Sequence, residues 1–282
     1  MPEPVEPPSL PELFRLDGRV ALVTGGVGLL GRRYCETLLA AGGRVVVGDQ
    51  EGDRARQLAA ALDPRSVLGL EMDVANDASV NGVVDAAVAR FGSLDILVNN
   101  AALTVRGGSE RLLRDYFAPF EVYSRDVWQR ALDVNLTGMV LCAQAAGRQM
   151  VRQGRGVLVN ISSTYGVVAP DQRLYEGVKS PYADAGFNTP VSYAVTKTAV
   201  LGLTRYLATY WGRQNIRVNA LTPHGVYDNH DETFVRNFAY RSPLGRMARN
   251  DEYRGALLFL VSDASSYMTG ANLIVDGGWT AW

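Results

Sequence analysis

The stretch Val20-Ala21-Leu22-Val23-Thr24-Gly25-Gly26-Val27-Gly28-Leu29-Leu30-Gly31 decides how the rest of the chain is read. Residues 20–24 are short and apolar, as a strand buried on both faces would be. Residues 30–41 then carry the periodicity of a helix. Glycines between the two let the chain turn tightly and bring backbone N–H groups against a pyrophosphate at a helix N-terminus. A glycine string alone specifies little. Its place between strand and helix makes it a phosphate cradle, with Gly25, Gly28, Leu30 and Gly31 as candidate cofactor contacts.

The same alternation continues along the chain. Residues 45–48, 67–72, 96–99, 157–161, 218–221 and 272–275 are further apolar strands. Residues 54–62, 78–90, 125–153, 191–212 and 251–262 are helical between them. Strand–helix alternation at this spacing means βαβ units with right-handed crossovers. The expected fold is α/β: a single doubly wound, Rossmann-type parallel sheet of about seven strands, helices on both faces. Residues 103–124 and 167–189 look longer than that scaffold needs, and long loops in a compact domain are usually functional.

Ligands of such sheets bind beyond the carboxyl ends of the strands, and four pieces of sequence fall there. After the glycine loop comes Gly48-Asp49. A carboxylate at Asp49 can accept hydrogen bonds from ribose hydroxyls and would repel a 2′-phosphate, which argues for NAD as cofactor. Arg32 and Arg33 could favour a phosphate, but they fall inside the helix, where at least one should be solvated. Asp73-Val74 ends the third strand, where a carboxylate can reach the adenine amino group. Asn99-Asn100-Ala101 ends the fourth, where small residues admit backbone to the cofactor, making Asn99 and Ala101 candidates.

The totals exclude several classes. The chain has 282 residues, 47% apolar and 20% charged, with a net charge of -1. That balance offers nucleic acid no basic field and shows no acidic excess of the disordered kind. No apolar run approaches the ~20 residues of a membrane span. The acidic, proline-rich start does not read as a secretion signal. A cytoplasmic protein is expected, with a small-molecule substrate and neither nucleic acid nor membrane as partner. Residues 1–15 should form a flexible N-terminal arm and 16–282 a single NAD-binding catalytic domain. Cys35 and Cys142 lie in amphipathic stretches without a motif and read as reduced packing residues. His224 and His230, the only histidines, give no basis for a metal site.

The chemistry points to a second constellation. Tyr193 and Lys197 lie four apart in a helix, on one face. An ammonium beside a phenol favours phenolate and lowers its pKa from about 10 toward working pH. A phenol so tuned can exchange a proton with a substrate hydroxyl. Asn160-Ile161-Ser162-Ser163 puts hydroxyls at the carboxyl edge of the fifth strand. Asn135, inside a helix, needs solvent or a role.

With these residues in view, the chain resembles the short-chain dehydrogenase/reductase family in its shorter, single-domain branch. The likeness runs from Leu16 to Trp282. It includes the glycine loop, Asp73, Asn99-Asn100-Ala101, Val134-Asn135, Ile161-Ser162-Ser163, Tyr193 with Lys197, Asn219, Pro223 and Val275-Asp276-Gly277-Gly278. The resemblance implies a tetrad. Tyr193 would be the acid/base, and Ser163 rather than Ser162 would polarise the carbonyl. Lys197 would bind the nicotinamide ribose and tune Tyr193, and Asn135 would hold a water that relays protons to Lys197. Ile161, Pro223, Gly225 and Val226 would lie along the cofactor. The usual assembly of the family is a homotetramer, with a homodimer as the lesser form.

Departures from the pattern are informative. The glycines fall as TGxxGxxG, a spacing that resembles longer sugar-nucleotide epimerases and dehydratases; the short branch would place glycine at Leu29. Ser163 and Tyr193 are 30 apart, where the family has a much shorter run. The inserted loop, with Asp171, Gln172, Arg173, Tyr175, Glu176, Lys179 and Tyr182, is thus pinned at the reaction centre and suits a hydroxylated substrate. Tyr165, Arg173, Tyr175 and His224, which replaces the family's glycine after the proline, are candidate substrate contacts. Together with the ending Trp279-Thr280-Ala281-Trp282, these features resemble bacterial reductases linked to sugar or surface-polysaccharide metabolism. The expected reaction moves a hydride between NAD(H) and a secondary alcohol or ketone of a sugar-like or polyol substrate. An epimerase or dehydratase using bound NAD transiently is a second reading, disfavoured by the chain's length. A non-catalytic NAD-binding scaffold is a third, against which the retained tetrad counts.

Overall fold

A computed structural model describes residues 8–104, 110–178 and 187–282. Its centre is one sheet of seven strands: β1 (Val20–Thr24), β2 (Arg44–Asp49), β3 (Val67–Glu71), β4 (Ile96–Asn99), β5 (Gly156–Ile161), β6 (Ile216–Pro223) and β7 (Asn272–Val275). All pairings are parallel, in the order β3-β2-β1-β4-β5-β6-β7. The chain builds outward from β1 through β3, then restarts at β4 on the other side of β1. The crevice at that reversal is where a doubly wound sheet receives a ligand.

Side chains alternate between the two faces of each strand, as the two-residue period requires. Ala21, Val23, Val45, Val47, Val157 and Val159 face one core, covered by α1 (Leu29–Ala40), α2 (Gly52–Leu62) and α9 (Arg254–Val261). Val20, Leu22, Val46, Leu97, Leu158 and Val218 face the other, covered by α3 (Asp77–Phe91), α6 (Gly138–Gln153) and α7 (Val191–Trp211). Helices on both faces confirm the doubly wound fold. Cys35 belongs to the first core and Cys142 to the second, both free and buried.

Three expectations change. The predicted helix 125–153 is two helices, α5 (Arg125–Leu132) and α6, joined through a π-turn at Asp133–Thr137. Periodicity runs through the junction unbroken, so the pattern hides it; such bulges are frequent at functional sites. The predicted loop 103–124 contains α4 (Glu110–Tyr116) and a 3₁₀ turn at Phe120–Val122. Seven residues are too few for a helical period to declare itself. A further helix, α8 (Glu232–Arg241), was not anticipated. Its signal was Asp231, whose carboxylate accepts from the N–H groups of Thr233 and Phe234 as an N-cap. Within the predicted arm, Glu12–Phe14 forms a 3₁₀ turn, while residues 1–7 lie outside the described part. So do Lys179 and Tyr182 of the inserted loop.

Candidate active site

At the crevice between β1 and β4, backbone lies against backbone. Gly25 has φ +63°, and a Cβ there would sit 2.9 Å from Ala101 Cα. A Cβ on Gly31 would sit 2.1 Å from the Gly25 carbonyl oxygen, so the first turn of α1 can lie on the loop only as glycine. Gly28 is the N-cap of α1, leaving that helix's N–H groups toward the loop, and Leu30 packs on the first core. This is a cradle that fits a pyrophosphate.

The residue that clamps the loop is Asn100. Its Nδ2 donates to the carbonyls of Thr24 (2.9 Å) and Gly25 (3.1 Å), while Thr24 Oγ1 accepts from the N–H groups of Asn100 and Ala101. Asn99, the neighbour proposed from sequence, turns its side chain into the sheet, where Nδ2 donates to Asn160 Oδ1 at 2.9 Å. Only its backbone remains for a cofactor. The doublet Asn-Asn signalled the site; strand alternation assigns the two jobs.

Asp49 closes the other side. Its carboxylate is buried and accepts from the N–H of Val27 and of Glu51, both at 3.1 Å. A carboxylate has about four acceptor positions, so two remain for ribose hydroxyls. Arg32 and Arg33 both pair with Glu36, and Arg32 is exposed, as expected. Asp73 is exposed and caps its own turn through the Ala75 N–H (2.9 Å), while Val74 is buried against Gly138.

The reaction residues gather at the ends of β5 and β6. Tyr193 lies in the first turn of α7 and is half-buried. Lys197, one turn on, is 2% exposed, with Nζ 5.7 Å from the Tyr193 ring centroid and donating to the Ile161 carbonyl at 2.7 Å. Burial pushes its pKa down to about 8. Ser162 and Ser163 are told apart by their bonds. Ser162 Oγ donates to the Lys197 carbonyl (2.8 Å), tying β5 to α7. Ser163 Oγ accepts from Tyr165 N–H at 3.2 Å at the head of the next turn. Gly166 is required because a Cβ would meet the Lys197 carbonyl oxygen at 2.5 Å.

Asn135 sits in the π-turn and is fully buried. Its Oδ1 accepts from Leu103 N–H (2.6 Å) and its Nδ2 donates to Thr196 Oγ1 (3.2 Å), beside Lys197. The helix widens where an asparagine side chain needs to reach both the β4 loop and α7. Tyr116 O–H donates to the Leu103 carbonyl (3.0 Å) and extends the same chain of contacts. Along β6, the Pro223 carbonyl accepts from Thr164 Oγ1, Gly225 has φ +50° and Val226 pairs with Ala248.

Of the substrate candidates, Tyr165 and Tyr175 are turned inward. Tyr175 O–H bonds Thr189 Oγ1 at 3.0 Å, and its ring stacks on Phe234 and packs tilted against Phe187. Burial is the main cause that raises the pKa of Tyr116, Tyr165 and Tyr175, with neighbouring phenols adding to it and a bond to Thr189 partly offsetting it in Tyr175, so all three stay protonated at neutral pH. Arg173 is exposed and held bidentate by Asp171, so the structure leaves it in solvent. His224 is buried among Tyr165, Phe238 and Trp279, and burial pushes its pKa down to about 4. It is a neutral ring in an aromatic setting. Sequence reasoning missed Asn100, Thr189, Phe238, Arg241 and Trp279 here.

Comparison with known proteins identifies the family. The family model described as Enoyl-(Acyl carrier protein) reductase matches residues 28–280. The D-threitol dehydrogenase of Mycolicibacterium smegmatis is 36% identical over 277 residues, 95% of each chain. The chain belongs to the short-chain dehydrogenase/reductase family. As a member of the family it is an oxidoreductase. The trans-4-hydroxycyclohexanecarboxylate dehydrogenase of Sinomonas cyclohexanicum is likewise 36% identical, over 95% of both chains. Among solved structures, a gluconate 5-dehydrogenase from Burkholderia cenocepacia in complex with NADP and tartrate superposes with a TM-score of 0.83. It is 33% identical, covering 97% of this chain and all of that one. Family membership thus brings a nicotinamide dinucleotide site without choosing between NAD and NADP. No helix among the described residues is long and apolar enough to cross a membrane.

Proposed function

We propose that this protein interconverts a secondary alcohol and its ketone on a polyol or sugar-like substrate, using NAD(H). The observation that carries the reading is the buried Lys197 ammonium, 5.7 Å from the Tyr193 ring and anchored on the Ile161 carbonyl at the strand end that presents Ser163. A dinucleotide with its pyrophosphate in the cradle formed by Gly25, Gly28 and Gly31 would bring a nicotinamide that supplies or accepts the hydride. Tyr193 takes the hydroxyl proton during oxidation and returns it during reduction. Ser163 donates to the same oxygen and holds it in line. Lys197, whose pKa burial lowers only to about 8, is still an ammonium at neutral pH, and its positive charge keeps the phenolate form of Tyr193 accessible. Asn135 sits where a water between it and Lys197 would pass the proton outward.

Asp49 supports NAD as the cofactor, since a buried carboxylate at the end of β2 disfavours a 2′-phosphate. Three protonated phenols and Thr189 near Tyr193 support a substrate with several hydroxyls, as does the likeness to a D-threitol dehydrogenase. Residues 16–282 act as one catalytic domain behind an N-terminal arm. Exposed, stacked Tyr206 and Tyr210 on α7, with exposed Tyr267 and Trp282, support assembly as a homotetramer. Two buried free thiols suit the reducing cytoplasm.

The test is a panel of D-threitol, glycerol, gluconate and monohydric secondary alcohols with NAD⁺ and NADP⁺, read by absorbance of the reduced cofactor. Net NADH from a polyol is expected. The glycine spacing favours the transient-NAD reading to a lesser degree; interconversion of sugars without net NADH would replace our proposal with it. Light scattering on the eluted protein checks the tetramer.

A further inference from the structure

Besides the two cores on the sheet faces, the protein has a third, built from none of the seven strands. Leu174, Phe238, Met247 and Trp279 are buried together, with Val168, Tyr175, Phe234 and Val235 packed on them. They come from the inserted segment after β5, from α8 with the turn beyond it, and from the stretch after β7. These stretches share a core only because the insertion lies on α8.

Polar clips hold the two together. Asn237 Nδ2 donates to the carbonyls of Leu174 (3.0 Å) and Glu176 (3.1 Å). Arg241 Nη1 donates to Asp171 Oδ2 at 2.9 Å, and its guanidinium lies over the Trp279 indole, 4.8 Å from the centroid. Asp171 has a second partner in Arg173, but that arginine is exposed and belongs to the same segment. Arg241 is the cation that crosses between elements. It joins insertion, α8 and Trp279 in one contact.

This third core meets the reaction centre through His224. The imidazole stacks on Phe238 (5.0 Å), packs tilted against Trp279 (4.3 Å) and meets Tyr165 edge-on (5.5 Å). Tyr165 N–H donates to Ser163 Oγ, and His224 follows Pro223, whose carbonyl accepts from Thr164. Anything that shifts Trp279 or Phe238 therefore reaches Tyr165 and the serine through one ring. Burial keeps that ring neutral, so it transmits packing rather than charge.

We infer that Arg241 is a positioning residue for substrate: its pairing with Asp171 and its stacking on Trp279 set residues 167–178 of the insertion as a wall, which through His224 fixes Tyr165 beside Ser163. The wall is built apart from the glycine loop and Asp49, and it meets the cofactor side where Phe238 lies against Gly225. The assignment rests on Tyr193 and Ser163 being the reaction centre.

Arg241→Met, Arg241→Lys, Asp171→Asn and the Asp171→Asn/Arg241→Met double variant test it. Steady-state kinetics use D-threitol and NAD⁺, NADH affinity is read by fluorescence, and limited trypsin digestion is followed at Arg173. For Arg241→Met we expect KM to rise about tenfold with kcat nearly kept, as when ground-state and transition-state binding are lost together. NADH affinity should stay unchanged, and cleavage after Arg173 should quicken severalfold. Arg241→Lys keeps the charge and loses the planar fork, so it should restore part of KM. The double variant should be no worse than Arg241→Met, as for a coupled pair. An unchanged KM, or NADH affinity that falls in step with activity, overturns the assignment. If the unmodified protein oxidises neither D-threitol nor any other polyol of the panel, the polyol reading falls by itself. The trypsin rate then decides, with equal cleavage of Arg241→Met and the unmodified protein overturning the wall.

Discussion

At the cofactor end, Gly31 lies so close to Gly25 that a single added carbon would stand 2.1 Å from a carbonyl oxygen. At the substrate end, Tyr165, His224, Trp279 and Arg241 touch through rings and a guanidinium, each contact joining residues 38 to 59 apart in the chain. The first region is backbone packed on backbone, and admits almost no choice of residue. The second is side chain packed on side chain, where many combinations could fill the same space. One surface must accept a fixed dinucleotide, whereas the other can be rebuilt for a new substrate. Damage should divide accordingly: cofactor affinity at one end, KM at the other, and turnover where they meet.

The meeting point gives the largest effect. Tyr193→Phe removes the proton acceptor while keeping the ring, and should lower kcat by about a thousandfold. NADH affinity, measured by fluorescence titration, should hardly move. A variant that kept most of its turnover on a verified substrate would remove Tyr193 from the centre of the mechanism.

Lys197 should reveal itself in stability. Its pKa is pushed down to about 8 by burial, from about 10.4 in an unfolded chain. Below about pH 8 the ammonium is charged in both states, and folding carries the cost of burying it. Between about pH 8 and 10.4 the unfolded state binds more protons, so this contribution to stability improves as pH rises. The difference is on the order of 3 kcal/mol. Thermal unfolding of the cofactor-free protein beside Lys197→Met should show the variant gaining most at neutral pH, its advantage shrinking as pH rises. A gap independent of pH would mean that Lys197 has the same pKa folded and unfolded, so that burial does not shift it.

Gly31→Ala tests the backbone end directly. Overpacking of this kind costs about 1–3 kcal/mol, so NADH affinity should fall by about tenfold to a hundredfold. Turnover at saturating cofactor should change less. A uniform loss of affinity for both NADH and substrate would blur the division between the two ends.

The contrast also explains what could be read from sequence. Strands buried on both faces appear as unbroken Val, Ile and Leu runs, so all seven were found with ends shifted by at most two residues. Gly25, Gly31, Ser163, Tyr193 and Lys197 were legible because their chemistry or geometry permits few substitutes. The π-turn at Asn135 was not, because apolar periodicity passes through it. Helix α8 left only its cap, Asp231, as a trace. The Arg241–Asp171–Trp279 assembly left none, because its members meet only once the sheet has brought the ends of β5, β6 and β7 together. Arg173 shows the converse error. It stood in the right loop, but a nearby Asp171 satisfies it in solvent, and the cation that matters lies seventy residues further on.

Asp49 gives the smallest effect and divides two roles that the structure superimposes. Its carboxylate braces the glycine loop through Val27 and the next turn through Glu51, and in the proposed NAD site it would also meet a 2′-phosphate. Asp49→Ser keeps an acceptor for one backbone N–H and removes the charge. If repulsion is the dominant role, NADH affinity should fall and the NADPH-to-NADH affinity ratio should rise about tenfold, roughly 1.4 kcal/mol. Arg32, exposed and only four residues before its partner Glu36, is free to swing toward the added phosphate. If bracing is the dominant role, both affinities should fall together, the ratio should stay put, and the melting temperature should drop. The ratio therefore separates a selector from a brace, and an unchanged ratio would remove the residue on which the choice of NAD rests.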